Sequence, residues 1–306
     1  MRIVVIGQQA FGEAVLKRLL EKGEQVVGVA APATPAGSRP DPLRALADAK
    51  GIPVLSTREL KKPDVFQHYQ AWKPDLNVMA FVTDILPEAV LMTPKLGTIQ
   101  YHPSLLPRHR GANAMHWAVI QGETKTGLTV FWPDKGVDTG PVLLQKEVEI
   151  KPEDTLGSLY FGKLFPMGVD AMEEAVQLVK KGKTPRMPQD ESKATYEKIV
   201  KEEDAKIDWS KPAQDVYNLI RACNPQPGAH STLRFKKVKI YDCKMELKPV
   251  KNRPGQVFNV LNDQFSVALS GGVLHVMRLQ PAGEPKMTAK EFIDAGRVAA
   301  GELLGM

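Results

Sequence analysis

Cysteine is the scarcest residue in this chain of 306 residues, which contains only Cys223 and Cys243. Neither is flanked by other ligands at a metal-binding spacing, so we expect two ordinary buried thiols and no disulfide framework. This composition suits a reducing compartment, and the cytoplasm is the predicted location. No apolar run approaches the roughly 20 residues that a membrane helix requires, so no membrane association is predicted.

The glycine pattern of dinucleotide-binding folds is also missing. The segment "GQQAFG", after the first predicted strand, spaces two glycines five residues apart instead of following G-x-G-x-x-G. A tight turn from strand to helix accounts for this spacing. A phosphate site at the helix N-terminus stays open as the alternative.

Positive charge is present but unevenly distributed. The net charge is +6, and most basic residues of the C-terminal third fall in "RFKKVKIYDCKMELKPVKNR", residues 234–253. One interpretation of this segment is a contact with a phosphate backbone. The other is the solvated face of a β-hairpin.

Strand and helix patterns alternate from the N-terminus onward. Short β-rich runs such as "RIVVIG", "QVVGVAA" and "LNVMAFV" are separated by helical spacings, which is typical of βαβ units and a mostly parallel sheet. From about Asp204, short strands punctuated by turns follow one helix, which predicts a small β-barrel. The predicted fold is α/β, with a Rossmann-like domain at residues 1–203 and a barrel domain at 204–306.

Two polar residues are expected to meet above one edge of the predicted sheet. His102 follows the strand "LGTIQ", and Asp138 lies in a glycine-rich turn after the strand "GLTVFWP". An imidazole can stabilise a developing oxyanion, while a carboxylate fixes its charge state and steers a proton from the attacking nucleophile. The pair therefore suits acyl transfer, although a packed or capping histidine explains His102 equally well.

Three histidines recur every seven residues, at His102, His109 and His116. Prolines on both sides of "SLL" prevent one continuous helix, and no Asp, Glu or Cys lies among the histidines. We therefore predict no metal site. Ser104 lies in the same segment, but the G-x-S-x-G turn that presents a nucleophilic serine is absent, so a loop contact is expected.

Two segments carry a family resemblance. "YHPSLLPRHRGANAMHW" and "GLTVFWPDKGVDTGPVLLQKE" closely resemble the N-terminal hydrolase domain of 10-formyltetrahydrofolate dehydrogenase, in the formyltransferase superfamily that also includes methionyl-tRNA formyltransferase. Further similar segments, such as "ATYEKIVKEEDAKIDW", extend the resemblance over nearly the whole chain. It implies a folate-binding formyltransferase domain followed by an OB-like barrel.

The resemblance implies 10-formyltetrahydrofolate as the formyl donor, with His102 and Asp138 as the catalytic pair. The carrier and dehydrogenase regions of the dehydrogenase relative have no counterpart up to Met306, so no NADP chemistry is predicted. The residues implied in folate binding lie in the loop after "NVMAFV", in the turn around Asp138, at the pocket mouth and in "ATYEKI": Phe81, Asp84, Ile85, Leu86, Val137, Gly140, Arg108, Arg110 and Tyr196. For Tyr196, a packing contact between domains is the alternative.

One departure bears on the acceptor. The transferases of this family carry asparagine two residues before the catalytic histidine, whereas this chain has Gln100, and the dehydrogenase's hydrolase domain also lacks the asparagine. We therefore predict hydrolysis to tetrahydrofolate and formate, with Gln100 assisting His102. Methionyl-tRNA formyltransferase activity is the main alternative, with tRNA as the partner of the basic segment 234–253, which resembles the C-terminal domain of the tRNA enzyme. Against it, "PATPAGSRPDPL" offers only Arg39 where the tRNA enzyme has a basic insertion. An amino-sugar formyltransferase and a non-catalytic folate-binding module are the remaining hypotheses.

Overall fold

A seven-stranded sheet forms the core of the N-terminal part of the chain, in a computed structural model that describes residues 1–306. Its strands are β1 (Arg2–Gly7), β2 (Gln25–Ala31), β3 (Val54–Ser56), β4 (Leu76–Ala80), β5 (Thr98–His102), β7 (Lys125–Phe131) and β8 (Val142–Glu149). The strand order is β3-β2-β1-β4-β5-β7-β8. Four of the pairings are parallel, and β7 runs antiparallel to β5. The predicted mostly parallel α/β sheet is therefore confirmed.

Helices connect these strands or follow the last of them. They are α1 (Gln9–Glu21), α2 (Pro42–Ala49), α3 (Pro63–Ala71), α4 (Glu88–Met92), α5 (Ala114–Ile120), α6 (Leu156–Leu159) and α7 (Phe165–Lys180), with the two-residue strands β6 (Arg110–Gly111) and β9 (Tyr196–Glu197) outside the sheet. A π-helical turn, Tyr160–Leu164, joins α6 to α7. None of the helices of the chain is long and apolar enough to cross a lipid bilayer.

The sheet is buried on both faces, as its uninterrupted apolar strands require. Successive residues of a strand point to opposite faces. Ile3 and Val5 accordingly pack into one core cluster with α1 and α7, while Val4 and Ile6 pack into the other with residues of α3 and α4. The βαβ connections of a parallel sheet place helices on both of its sides, so both faces are covered.

A buried polar network supports α4, the helix that follows the loop predicted to bind folate. Tyr69 donates a hydrogen bond to the Asn77 amide oxygen (3.0 Å), and the Asn77 amide donates to the Val90 carbonyl (3.0 Å) and the Thr98 hydroxyl (3.2 Å). Burial raises the pKa of the Tyr69 hydroxyl, which stays neutral. Asn77 therefore links the sheet to α4 through groups that water does not reach.

Replacing Asn77 with alanine is expected to lower the free energy of unfolding by about 1–3 kcal/mol, because buried partners lose their hydrogen bonds. Urea denaturation would measure this loss. Gln70→Ala, which removes an exposed amide from the neighbouring helix α3, is the matched control and should change stability by less than about 0.5 kcal/mol. Equal stability of the two variants would show that the network contributes nothing.

Antiparallel strands form the C-terminal part of the chain. They are β10 (Ala229–Leu233), β11 (Lys236–Ile240), β12 (Cys243–Glu246), β13 (Val257–Val260), β14 (Phe265–Leu269), β15 (Gly272–Val276), β16 (Arg278–Pro281) and β17 (Met287–Thr288). They group into two four-stranded sheets, β10-β11-β16-β17 and β12-β15-β14-β13. One apolar core joins these sheets to α8 (Ala213–Ala222) and α9 (Ala289–Asp294). The antiparallel domain is confirmed, and its closure as an OB-like barrel stays a prediction.

Two compact units divide the chain. The first comprises residues 1–111, 127–148 and 163–196, and the second comprises residues 112–126, 149–162 and 197–306. The second unit thus includes two segments that precede residue 203, and the domain boundary between residues 203 and 204 stays a prediction. Both cysteines, which belong to the second unit, are free thiols, and burial raises the pKa of the Cys223 thiol to about 12.

Only the first part of the basic segment 234–253 belongs to a hairpin, in which Arg234 and Phe235 connect β10 to β11. Its first strand, β11, pairs with β10 and β16, whereas β12 pairs with β15 in the other sheet. Arg234 forms an ion pair with Glu302 (2.5 Å) and Lys237 forms one with Glu202. The hairpin interpretation therefore holds for the part of the segment up to Ile240, and the charge of the whole segment is divided between two sheets and partly balanced by acidic neighbours.

Candidate active site

The strand β5 delivers two polar side chains to the same face of the sheet. Ile99 and Tyr101 pack into the core cluster with α1 and α7. Because side chains alternate along a strand, Gln100 and His102 point to the opposite face. His102 is the last residue of β5 and is 6% exposed, while Gln100 is half-buried. The predicted proximity of Gln100 and His102 thus follows from strand geometry alone.

The His102 ring is held by a backbone carbonyl on one side and faces a carboxylate on the other. Its Nε2 donates to the His109 backbone carbonyl over 2.8 Å, because a carbonyl oxygen can only accept. Its Nδ1 faces the Asp138 carboxylate, 3.5 Å from Oδ2. This distance exceeds that of an ordinary hydrogen bond. Because an imidazole with one proton is neutral, the two groups form an ion pair only when the ring carries a second proton.

Asp138 lies in a tight turn with a left-handed backbone conformation, φ 56°. Aspartate tolerates this region better than most residues, although the conformation still costs energy. Its Oδ2 accepts a hydrogen bond from the Gly111 backbone N–H (2.8 Å). Its Oδ1 receives no hydrogen bond from the protein and is not sealed from solvent. One carboxylate oxygen is therefore held in place, and the other is available to a substrate proton.

The loop between His102 and Arg110 is held by buried polar contacts. The Ser104 hydroxyl donates to the Arg108 carbonyl (2.6 Å), the loop contact expected of it, and the Leu106 N–H donates to the Thr129 hydroxyl (3.1 Å). Gln145 donates to the Leu106 carbonyl (2.7 Å). These contacts fix the His109 carbonyl that orients the His102 ring.

The residues predicted to line a folate pocket divide into exposed and anchored groups. Phe81, Ile85 and Val137 are exposed apolar side chains, 43%, 96% and 57% accessible to solvent. Asp84 instead anchors its loop, because its carboxylate accepts hydrogen bonds from the Thr57 hydroxyl (2.6 Å) and Arg58 (3.2 Å). Leu86 belongs to the core cluster beneath the loop.

The two predicted arginines lie in different environments. Arg108 is exposed. Arg110 is fully buried, so the expectation that it lies at a pocket mouth is corrected. Its guanidinium is held by both carboxylate oxygens of Glu191 (2.6 and 2.9 Å) and donates to the Tyr196 hydroxyl (2.8 Å). Burial of an arginine requires such pairing, because an unpaired buried charge is strongly unfavourable. Folate contacts by Arg110 and Tyr196 stay predictions.

Sequence reasoning missed Gln189 and Glu191. Gln189 donates to the backbone carbonyls of Asp138 (2.9 Å) and Gly140 (2.7 Å). Both residues lie in "PQDES", a charged stretch that reads as part of a linker. No local pattern distinguishes them, since their partners lie about 50 to 80 residues earlier in the chain. No group of three or more His, Cys, Asp or Glu side chains is arranged to hold a metal ion.

Family comparison agrees with this geometry. Residues 1–165 match the formyl transferase family, and residues 199–297 match the C-terminal domain of formyl transferases. Among solved structures, HypX from Aquifex aeolicus in complex with tetrahydrofolic acid superposes with a TM-score of 0.69 at 20% identity, over 96% of this chain and 47% of that one. At this identity, the similarity to HypX concerns the fold.

Two relatives match nearly the whole chain. The mitochondrial 10-formyltetrahydrofolate dehydrogenase of Mus musculus is 39% identical over 99% of this chain, which spans 34% of the dehydrogenase. The methionyl-tRNA formyltransferase of Geotalea uraniireducens is 37% identical over 100% of this chain and 98% of its own length. With both family matches in sequence order, these relatives show that the chain belongs to the formyl transferase family.

Proposed function

We propose that this chain hydrolyses 10-formyltetrahydrofolate to tetrahydrofolate and formate. The observation that carries the proposal is the arrangement of Asp138, whose Oδ2 accepts from the Gly111 N–H and lies 3.5 Å from His102 Nδ1, while Oδ1 receives no hydrogen bond from the protein. A fixed carboxylate with one unpaired oxygen suits a general base that accepts a proton from water. The relatives named for 10-formyltetrahydrofolate support the choice of formyl donor.

The proposed reaction begins with attack of water on the formyl carbon. Asp138 Oδ1 accepts the proton that the water loses, and a C–O bond forms as the carbonyl pair moves to oxygen. Protonated His102, with the Gln100 amide, stabilises the resulting oxyanion. Cleavage of the C–N10 bond then releases formic acid, N10 takes the proton that Asp138 had accepted, and the formic acid loses its own proton to solvent to give formate. The balance is one water consumed per formyl group, with no redox cofactor or metal required.

The substrate pocket of this proposal combines apolar and polar groups. Phe81, Ile85 and Val137 offer exposed apolar surface to the pterin ring, with the backbone at Gly140 beside it. Exposed Arg108 provides positive charge for the anionic folate tail. Residues 1–203 would carry this site and residues 204–306 the barrel domain. A cytoplasmic location belongs to the same proposal, because both cysteines are free thiols.

Transfer to methionyl-tRNA is the second candidate. The Geotalea enzyme, which is named for that activity, matches this chain from end to end. In the C-terminal unit, Lys237 and Lys239 line a cavity of about 140 Å³ beside Gln280 and Gly283. Against this candidate, the segment "PATPAGSRPDPL" carries a single basic residue, Arg39.

Product analysis separates these candidates. Purified protein with 10-formyltetrahydrofolate should release formate and tetrahydrofolate in equal amounts without tRNA, and His102→Ala should lower kcat by about 10²- to 10⁴-fold. The same assay with charged initiator methionyl-tRNA should give no formylmethionyl-tRNA. Formyl transfer that appears only with tRNA would refute hydrolysis as the function.

Ionic strength provides the control. Lys and Arg contacts with phosphates release counterions, so tRNA-dependent turnover falls steeply with salt, whereas hydrolysis of a small folate does not. Charge reversal at three exposed lysines of the basic segment, Lys236, Lys244 and Lys248, should therefore leave formate release unchanged. A large loss of tRNA-dependent formyl transfer in that variant would favour the tRNA reaction.

A further inference from the structure

We propose that Gln189, oriented by Arg110, is a positioning residue that holds the Asp138 turn in its active conformation. This inference rests on the proposed role of Asp138. The Gln189 amide nitrogen donates to the carbonyls of Asp138 (2.9 Å) and Gly140 (2.7 Å). The NH2 group thereby uses both of its protons to hold residues 138–140, the segment that carries the Asp138 carboxylate.

The orientation of the Gln189 amide is determined by its partners. Its Oε1 accepts hydrogen bonds from Arg110 Nε (3.1 Å) and Nη2 (2.8 Å). A guanidinium can only donate and a backbone carbonyl can only accept, so the amide has one arrangement that satisfies every group. Rotating it by 180° would set its oxygen against two carbonyl oxygens.

Arg110 is itself rigidly held. It is fully buried, and its Nη1 and Nη2 each donate a hydrogen bond to the Glu191 carboxylate. The side-chain hydrogen bonds from Arg110 lower the pKa of the Glu191 carboxyl, which therefore stays charged. Bidentate pairs of this kind restrict geometry as well as contributing energy.

The same short strand also contacts the Asp138 side chain. Gly111 follows Arg110 in β6, and its N–H donates to Asp138 Oδ2 (2.8 Å). β6 therefore controls Asp138 in two ways, through the carboxylate by Gly111 and through the backbone by Arg110 and Gln189. The second connection matters because Asp138 is held at φ 56°, where a loosened backbone relaxes to a less strained conformation.

The decisive variant is Gln189→Glu. It preserves side-chain size and both Arg110 contacts but replaces the two donors with an oxygen facing two carbonyl oxygens. We expect kcat to fall by about 10²-fold with KM changed less than about threefold, since misplacing a catalytic group by about 1 Å has this effect. Gln189→Leu, which removes the donors without adding charge, should lower kcat less.

The pH dependence distinguishes positioning from simple loss of structure. Protonation of the introduced carboxyl restores one donor, so the activity of Gln189→Glu relative to wild type should rise as the pH falls and that carboxyl takes up a proton. The relative activity of Gln189→Leu should stay constant over that range. Gln177→Leu is the matched control, because Gln177 is half-buried in the same unit and donates to Glu24.

A measurement independent of turnover separates this inference from the proposed function. Hydrogen exchange of the Gly111 amide and of residues 136–140 should accelerate about tenfold in Gln189→Glu and stay unchanged in Gln177→Leu. Faster exchange with no wild-type formate release would refute the hydrolase proposal and retain the positioning role. Unchanged exchange and unchanged kcat in Gln189→Glu, or a rise in KM alone, would overturn the positioning role.

Discussion

Asp138→Asn is expected to lower kcat for formate release by about 10²- to 10⁴-fold, the range for removing a general base. The asparagine amide matches the carboxylate in size and tolerates the left-handed conformation, φ 56°. It can still accept the Gly111 N–H through its oxygen. What it lacks is a group that takes a proton from water at neutral pH, so the loss should appear in kcat and not in folate affinity.

Steady-state kinetics with a separate binding titration of 5-formyltetrahydrofolate would test this expectation. Asp48→Asn removes a carboxylate from the exposed face of α2 and serves as the matched control, with wild-type kcat expected. An Asp138→Asn enzyme that retains kcat within about threefold would remove Asp138 from the reaction. Wild-type kcat with weakened folate binding would assign Asp138 to binding instead.

Gly140→Ala is expected to lower both stability and activity. A Cβ at this position would lie 1.8 Å from the Trp132 carbonyl oxygen, and backbone atoms cannot move aside as a flexible side chain can. The turn that carries Asp138 must shift, which is expected to lower the free energy of unfolding by about 1–3 kcal/mol. The accompanying displacement of Asp138 should lower kcat by about 10²-fold.

Gly162→Ala is the control for this substitution, since a Cβ at Gly162 meets no atom within 4 Å. Urea denaturation and formate release measured on both variants would separate stability from activity. A Gly140→Ala protein with wild-type stability and kcat would show that the turn adapts without moving Asp138. Destabilisation without any loss of kcat would show that the position of Asp138 does not depend on this close approach.

The core of the sheet could be predicted because its pattern is local. Strands such as "RIVVIG" and "LNVMAFV" bury both faces, and alternation along β5 separates Ile99 and Tyr101 from Gln100 and His102. Packing on two sides forces such runs to be continuously apolar, so the pattern is visible without knowledge of the partners. The antiparallel C-terminal strands were predicted on the same basis, from short apolar runs between turns.

The candidate catalytic pair could be predicted as well. His102 ends β5, and Asp138 follows β7, the strand next to β5 in the sheet. In the structure, His102 Nδ1 lies 3.5 Å from Asp138 Oδ2. Their motifs are distinctive enough to carry the family resemblance, and the family itself is confirmed. Their catalytic roles stay predictions until the variants above are measured.

The sequence alone thus determined the α/β fold, the family and the two segments that bring His102 and Asp138 together. Only the tertiary structure decided that Arg110 is buried, that Gln189 clamps the Asp138 turn, and that β11 and β12 lie in different sheets. The reason is physical. Apolar periodicity records burial at each position, whereas a polar side chain gives no sign of its partner, which folding selects from residues far away in the chain.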